Sequence, residues 1–84
     1  MKEKELRKLV IELIAEQTGK KVEEINLLDN LKEDLWFDSL DSLENLIRLE
    51  SELEVEIYGE LEKKLFSCKT VEEVINFVIA EFGE

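Results

Sequence analysis

Ser39 and Ser42 lie in the run Glu33-Asp34-Leu35-Trp36-Phe37-Asp38-Ser39-Leu40-Asp41-Ser42-Leu43-Glu44. A serine hydroxyl can attack an electrophile or accept a covalent group, but it needs a base to take its proton. The chain has no histidine, which is the commonest such base and the commonest nitrogen ligand for metals. A serine–histidine hydrolase is therefore excluded within the chain, and no catalytic residue is assigned. Covalent chemistry at either serine must be done by another protein. The single cysteine, Cys68, excludes an internal disulfide and a cysteine-based zinc site. Asp29 to Leu40 lacks the glycine and alternating ligands of an EF-hand loop, so no metal site is expected.

The elements that must hold these serines are helical. The chain has 84 residues and is expected to form one domain, residues 1–84. Such a chain buries only about 60–65% of its unfolded surface. Leu6, Leu9, Val10, Leu13 and Ile14 follow a three-four spacing that predicts a helix over Glu3–Thr18, with Gly19 just past its end. Residues 20–38 form a long connection, with a short turn expected near Val22–Ile25. A second helix is predicted over Ser39–Glu54, its wide apolar face made of Leu40, Leu43, Leu46, Ile47, Leu49 and Leu53. Asp38 is its natural N-cap, and Asp41 falls at the third helical position. A short third segment lies within Gly59–Phe66. Thr70 and Glu73 form a capping box for a fourth helix that Gly83 ends. The fold class is thus all-α: three longer helices, one short helix and a long loop between the first two. Leu43, Ile47, Phe66, Val71, Ile75 and Phe77 are read as core.

Around the serines, order, spacing and helix position agree with one known pattern. Glu33-Asp34-Leu35, two further residues, then Asp38-Ser39-Leu40-Asp41, with Glu44 beyond, closely resembles the prosthetic-group site of acyl carrier proteins. Thr70-Val71 and the acidic amphipathic segment after it resemble that family's last helix. The resemblance implies a small carrier bundle that catalyses nothing. It implies 4'-phosphopantetheine attached to Ser39, drawn from coenzyme A by a phosphopantetheinyl transferase that uses Mg²⁺. The arm's thiol would hold acyl cargo as thioesters. Asp38-Ser39-Leu40 recurs as Asp41-Ser42-Leu43, but only Ser39 has Glu33-Asp34-Leu35 at the family's upstream spacing. Ser42 lies about one turn inside the helix, where its hydroxyl competes for backbone hydrogen bonds. The chain departs from the family at Trp36, where glycine is common, and in the longer stretch from Ile57 to Thr70. Trp36 and Phe37 are read as loop anchors, and Cys68 as structural or incidental.

The formal net charge is −11. Such a field repels nucleic acid and anionic membranes and favours partners with basic patches. From Asp38 to Ile57 there are seven acids against one base, Arg48, a net −6. An acidic run is by itself an ordinary solvated face. The resemblance makes it a docking surface for acyl-processing enzymes, through Asp38, Leu40, Asp41, Glu44, Ile47 and Glu50. It also implies an interior able to part around an acyl chain. No stretch of about 18 apolar residues occurs, so no membrane insertion is expected. The N-terminus lacks the apolar stretch of a signal peptide, and a cytoplasmic monomer is expected. The competing reading is an unmodified acidic interaction module that keeps the carrier fold.

Overall fold

The computed structural model describes residues 2–83. The predicted helices form α1 (Glu3–Thr18), α2 (Ser39–Leu53), α3 (Glu60–Phe66) and α4 (Val71–Phe82), with a 3₁₀ turn at Val22–Glu24. Among the described residues there is no strand, only an isolated antiparallel bridge between Asn30 and Thr70. No helix there is long and apolar enough to cross a membrane.

The helices form where their sequence expects them. Leu6, Val10, Leu13 and Ile14 bury one stripe of α1 against Val71, Val74, Ile75 and Val78 of α4. The other flank of that stripe meets Leu46 and Leu49 of α2. Gly19 ends α1 at φ 71, a left-handed conformation that costs glycine little. There the N–H of Lys20 donates to the Ala15 carbonyl at 3.1 Å. Two starts are capped as predicted. The N–H of Asp41 donates to Asp38 Oδ1 at 2.8 Å, and the N–H of Glu73 donates to Thr70 Oγ1 at 3.2 Å.

Three expectations need correction. The second helix stops at Leu53 because Glu54 turns left-handed, at φ 55. Its apolar face is narrower than predicted: Leu40, Leu43 and Ile47 are exposed, and only Leu46 and Leu49 are buried. At about 100° per residue, the outer three lie roughly a third of a turn away from the inner stripe, so one neighbouring helix cannot cover both. Phe66 is likewise exposed and Phe77 only half-buried, whereas Val71 and Ile75 are core.

The long connection is tied to the start of α4. The first N–H groups of a helix have no partner within it. Here the N–H of Val71 donates to the Asp29 carbonyl at 3.1 Å and that of Glu72 to the Leu27 carbonyl at 2.9 Å. In return the N–H of Leu31 donates to the Lys69 carbonyl at 2.8 Å. Asn30 organises the turn that follows. Its Oδ1 accepts from the N–H groups of Lys32 (3.0 Å) and Glu33 (2.9 Å). Its own N–H donates to Asp34 Oδ2 at 2.7 Å. The N–H groups of Asp34 and Leu35 both donate to its carbonyl.

Asn30→Ala removes the acceptor for two backbone donors and should destabilise the protein by about 1–2 kcal/mol. Urea unfolding followed by circular dichroism measures this. Unchanged stability would show that the turn holds without the side chain.

Candidate functional site

Asp38 has extended backbone angles and precedes the first helical residue, Ser39. The capping box is reciprocal: the N–H of Asp38 donates to Asp41 Oδ2 at 3.1 Å. Asp41 Oδ1 accepts from Gln17 Nε2 at 2.9 Å, and Glu44 Oε1 accepts from the same nitrogen at 3.0 Å. Gln17 thereby clips the end of α1 to the first turns of α2. The Asp38 N–H, then the Gln17 amide, hold the Asp41 carboxyl below the usual carboxylate range. The carboxylates nearest Ser39 are thus engaged as structural acceptors.

Ser39 is exposed and Ser42 half-buried. Ser39 opens onto a groove of about 860 Å³ walled by Asn30–Glu33, Phe37, Asp38, Ser42, Phe66, Cys68 and Lys69. Two lysines, Lys32 and Lys69, stand on this wall in a chain of net charge −11. Beneath the groove lies a cleft of about 40 Å³ lined by residues of all four α-helices. Leu31, Phe37, Ser42, Phe66 and Cys68 line both spaces.

The segment entering the site alternates. Leu35 and Phe37 are buried, while Trp36 between them is 81% exposed at φ 61. Phe37 is therefore the expected loop anchor, and Trp36 is not. A left-handed conformation costs a residue with a Cβ about 1–2 kcal/mol. That cost explains why glycine suits this position.

The expected docking residues share no single environment. Asp38, Leu40, Glu44 and Ile47 are exposed, Leu40 at 62% and Ile47 at 55%. Leu40, Leu43 and Ile47 follow a three-four spacing and make an outward apolar stripe beside the acids. Asp41 is half-buried. Glu50 is also half-buried, and its Oε2 accepts from the N–H of Ile57 at 2.7 Å. Cys68 is half-buried; burial, then the neighbouring Glu73 charge, pushes its thiol up to about 11.

A family model described as a phosphopantetheine attachment site matches residues 8–78. The chain belongs to this family. Its relatives include acyl carrier proteins from two strains of Rickettsia bellii. That of strain RML369-C is 38% identical over 69 residues, covering 82% of this chain and 77% of the relative. That of strain OSU 85-389 is also 38% identical over 69 residues, covering 82% of each. Acyl carrier proteins are carriers and not enzymes, and their cofactor is covalent 4'-phosphopantetheine. The all-helical bundle agrees with that membership.

Sequence reasoning did not single out Lys32, Lys69 or Asn45, which sits in the cleft wall. The lysines carry no motif, and their segments are brought together by the backbone bonds that tie residues 27–31 to residues 69–72. Asn45 left a trace: it is a polar residue directly before Leu46 on the inner side of an amphipathic helix.

Trp36→Gly should raise stability by about 0.5–1 kcal/mol. Relief of the left-handed strain is partly offset by glycine's freedom in the unfolded chain. Thermal unfolding of both proteins measures it, and a lower Tm for the glycine variant would mean that the indole makes a stabilising contact.

Proposed function

We propose that this carrier holds 4'-phosphopantetheine on Ser39 and presents acyl groups to enzymes of fatty acid, lipid or polyketide-type biosynthesis. The observation that carries the assignment is the exposure of Ser39 at the first position of α2, on the rim of the groove. Ser42 is half-buried and lines the cleft below.

The residues present fit the group. Among the described residues, no acceptor within the chain takes the N–H groups of Ser39 and Leu40. A phosphodiester on Ser39 would lie against this positive helix end. Lys32 and Lys69 on the groove wall offset the like charge of Asp38 and Asp41. When attached, the arm supplies a thiol that holds acyl groups as thioesters. Attachment joins Ser39 Oγ to the phosphorus of coenzyme A nearest the pantetheine. The pyrophosphate bond breaks, and adenosine 3',5'-bisphosphate leaves. Asp38 and Asp41 are occupied in the capping box and the chain has no histidine, so the hydroxyl proton passes to a base of the transferase.

Incubation with coenzyme A, Mg²⁺ and a broad-specificity transferase should add one phosphopantetheine mass. Ser39→Ala should stay unmodified and Ser42→Ala should be modified normally. Addition to the Ser39→Ala protein would move the site. No addition to the wild-type chain would favour an unmodified interaction module.

We also propose that basic partner enzymes dock on α2 through Asp38, Leu40, Asp41, Glu44, Ile47 and Glu50. The exposed stripe Leu40–Ile47 supplies apolar area, and the acids around it set orientation and encounter rate. Glu44→Lys should lower transferase kcat/KM about threefold to tenfold at low salt, since an attractive charge becomes a repulsive one. The deficit should shrink near ~0.5 M salt, where long-range attraction is screened. Folding should hold, because Asp41 keeps the Gln17 hydrogen bond. Equal kcat/KM at low salt would remove Glu44 from the surface.

A further inference from the structure

Trp36 is the most exposed large apolar residue among those described. Its φ of 61 is a left-handed conformation that penalises a residue with a Cβ. The backbone on either side fixes it there. The N–H of Leu35 donates to the Asn30 carbonyl at 3.1 Å and that of Phe37 to the Leu31 carbonyl at 2.8 Å, and both side chains are buried. Nothing inside the molecule offsets the strain. Among the described residues, the indole is not one of the side chains packed against the core. The paired rings are Phe77 and Phe82, so it stacks on neither. It does not line the groove at Ser39, so it is no cover for the arm. Strain kept without an internal contact to offset it implies a contact made in a complex.

The surroundings decide the chemistry of that contact. From Glu33 to Ser39 there are three acids, Glu33, Asp34 and Asp38, all exposed, and no base. A purely apolar partner surface would take these carboxylates out of water with no counter-charge. A second copy of the chain, also at −11, would be repelled. An arginine side chain suits both features. Its planar guanidinium stacks on an indole face, and its positive charge is attracted by the carboxylates.

Position decides which partner meets it. Trp36 lies three residues before Ser39, so their Cα atoms are within about 11 Å of each other. The transferase acts on Ser39 Oγ itself, before any arm exists to bridge a gap. A standard interface of about 800 Å² per partner, centred on Ser39, is a patch roughly 16 Å in radius, wide enough to take in Trp36. Tryptophan and arginine are also the types enriched among the few residues that dominate interface energies.

Taking Ser39 as the attachment site, we propose that Trp36 is a recognition residue for the phosphopantetheinyl transferase, stacking on an arginine at the rim of that enzyme's active site. Glycine at this position could make no such contact.

Kinetics of arm attachment to the wild-type chain, Trp36→Phe, Trp36→Leu and Trp36→Gly test this, with a broad-specificity transferase and circular dichroism as the folding control. kcat/KM should fall about twofold to threefold in Trp36→Phe, which keeps an aromatic face, and about tenfold in Trp36→Leu and Trp36→Gly. The loss should lie in KM, since the indole is remote from the reacting atoms. A chain carrying 5-fluorotryptophan gives one ¹⁹F signal, from its one tryptophan. That signal should shift when transferase is added without coenzyme A. Equal kcat/KM in all four proteins, or a signal unmoved by saturating transferase, would overturn the inference. Trp36→Leu as active as Trp36→Phe would overturn the arginine stacking, and a loss in kcat alone would mean a disturbed Ser39 in place of a lost contact. In each of these cases the mass gained on Ser39 leaves the carrier reading intact. No attachment to the wild-type chain would overturn both.

Discussion

The joint between the long connection and the start of α4 holds the rest of the site in place. Val71 and Glu72 need acceptors because they begin a helix, and the chain at Leu27 and Asp29 needs donors because it is irregular. Each supplies what the other lacks. The pairing of Leu31 with Lys69 continues this joint and fixes one wall of the groove. The N–H of Phe37 then donates to the Leu31 carbonyl at 2.8 Å, which carries the constraint to the residue just before the Asp38 cap. The placement of Ser39 thus descends, bond by bond, from a helix end more than thirty residues away in sequence.

Electrostatics takes little part in that framework. The ion pairs Arg7–Glu3, Arg48–Glu16 and Lys63–Glu60 are solvent-exposed, the class of pair that contributes only about 0–1 kcal/mol. Acids that do matter structurally act as hydrogen-bond acceptors. Asp38 and Asp41 cap α2, Glu73 faces Thr70, Asp34 holds Asn30, and Glu50 reaches across to Ile57. The excess negative charge is therefore left over for the outside, a net −6 of it between Asp38 and Ile57. A small bundle can carry such a field because its core of aliphatic residues from all but the shortest helix needs no charge to cohere.

Local signals were the most legible in the sequence. The bounds of α1, the turn at Gly19, the N-cap at Asp38 and the capping box at Thr70 each depend on residues within one turn of one another. The motif around Ser39 was legible for the same reason, since spacing along a helix start fixes which hydroxyl is outermost. What failed depends on distant neighbours. Leu43 and Ile47 have core composition, but α1 covers only the Leu46–Leu49 stripe and no element reaches the rest. Trp36 reads as an anchor by type, yet its left-handed backbone lies between two inward residues and leaves it outside. Glu50 reads as a solvated acid, and its bond to the Ile57 N–H depends on how the chain returns after α2.

Cys68 shares the groove wall with Ser39, so a thioester drawn into that groove would lie beside a second sulfur. Thioesters exchange onto a thiolate, not onto a protonated thiol. With its pKa at about 11, Cys68 is protonated in all but roughly one molecule in ten thousand at neutral pH. Burial and the Glu73 charge therefore keep the chain's own nucleophile silent, and a carrier built this way does not steal the load it is meant to deliver.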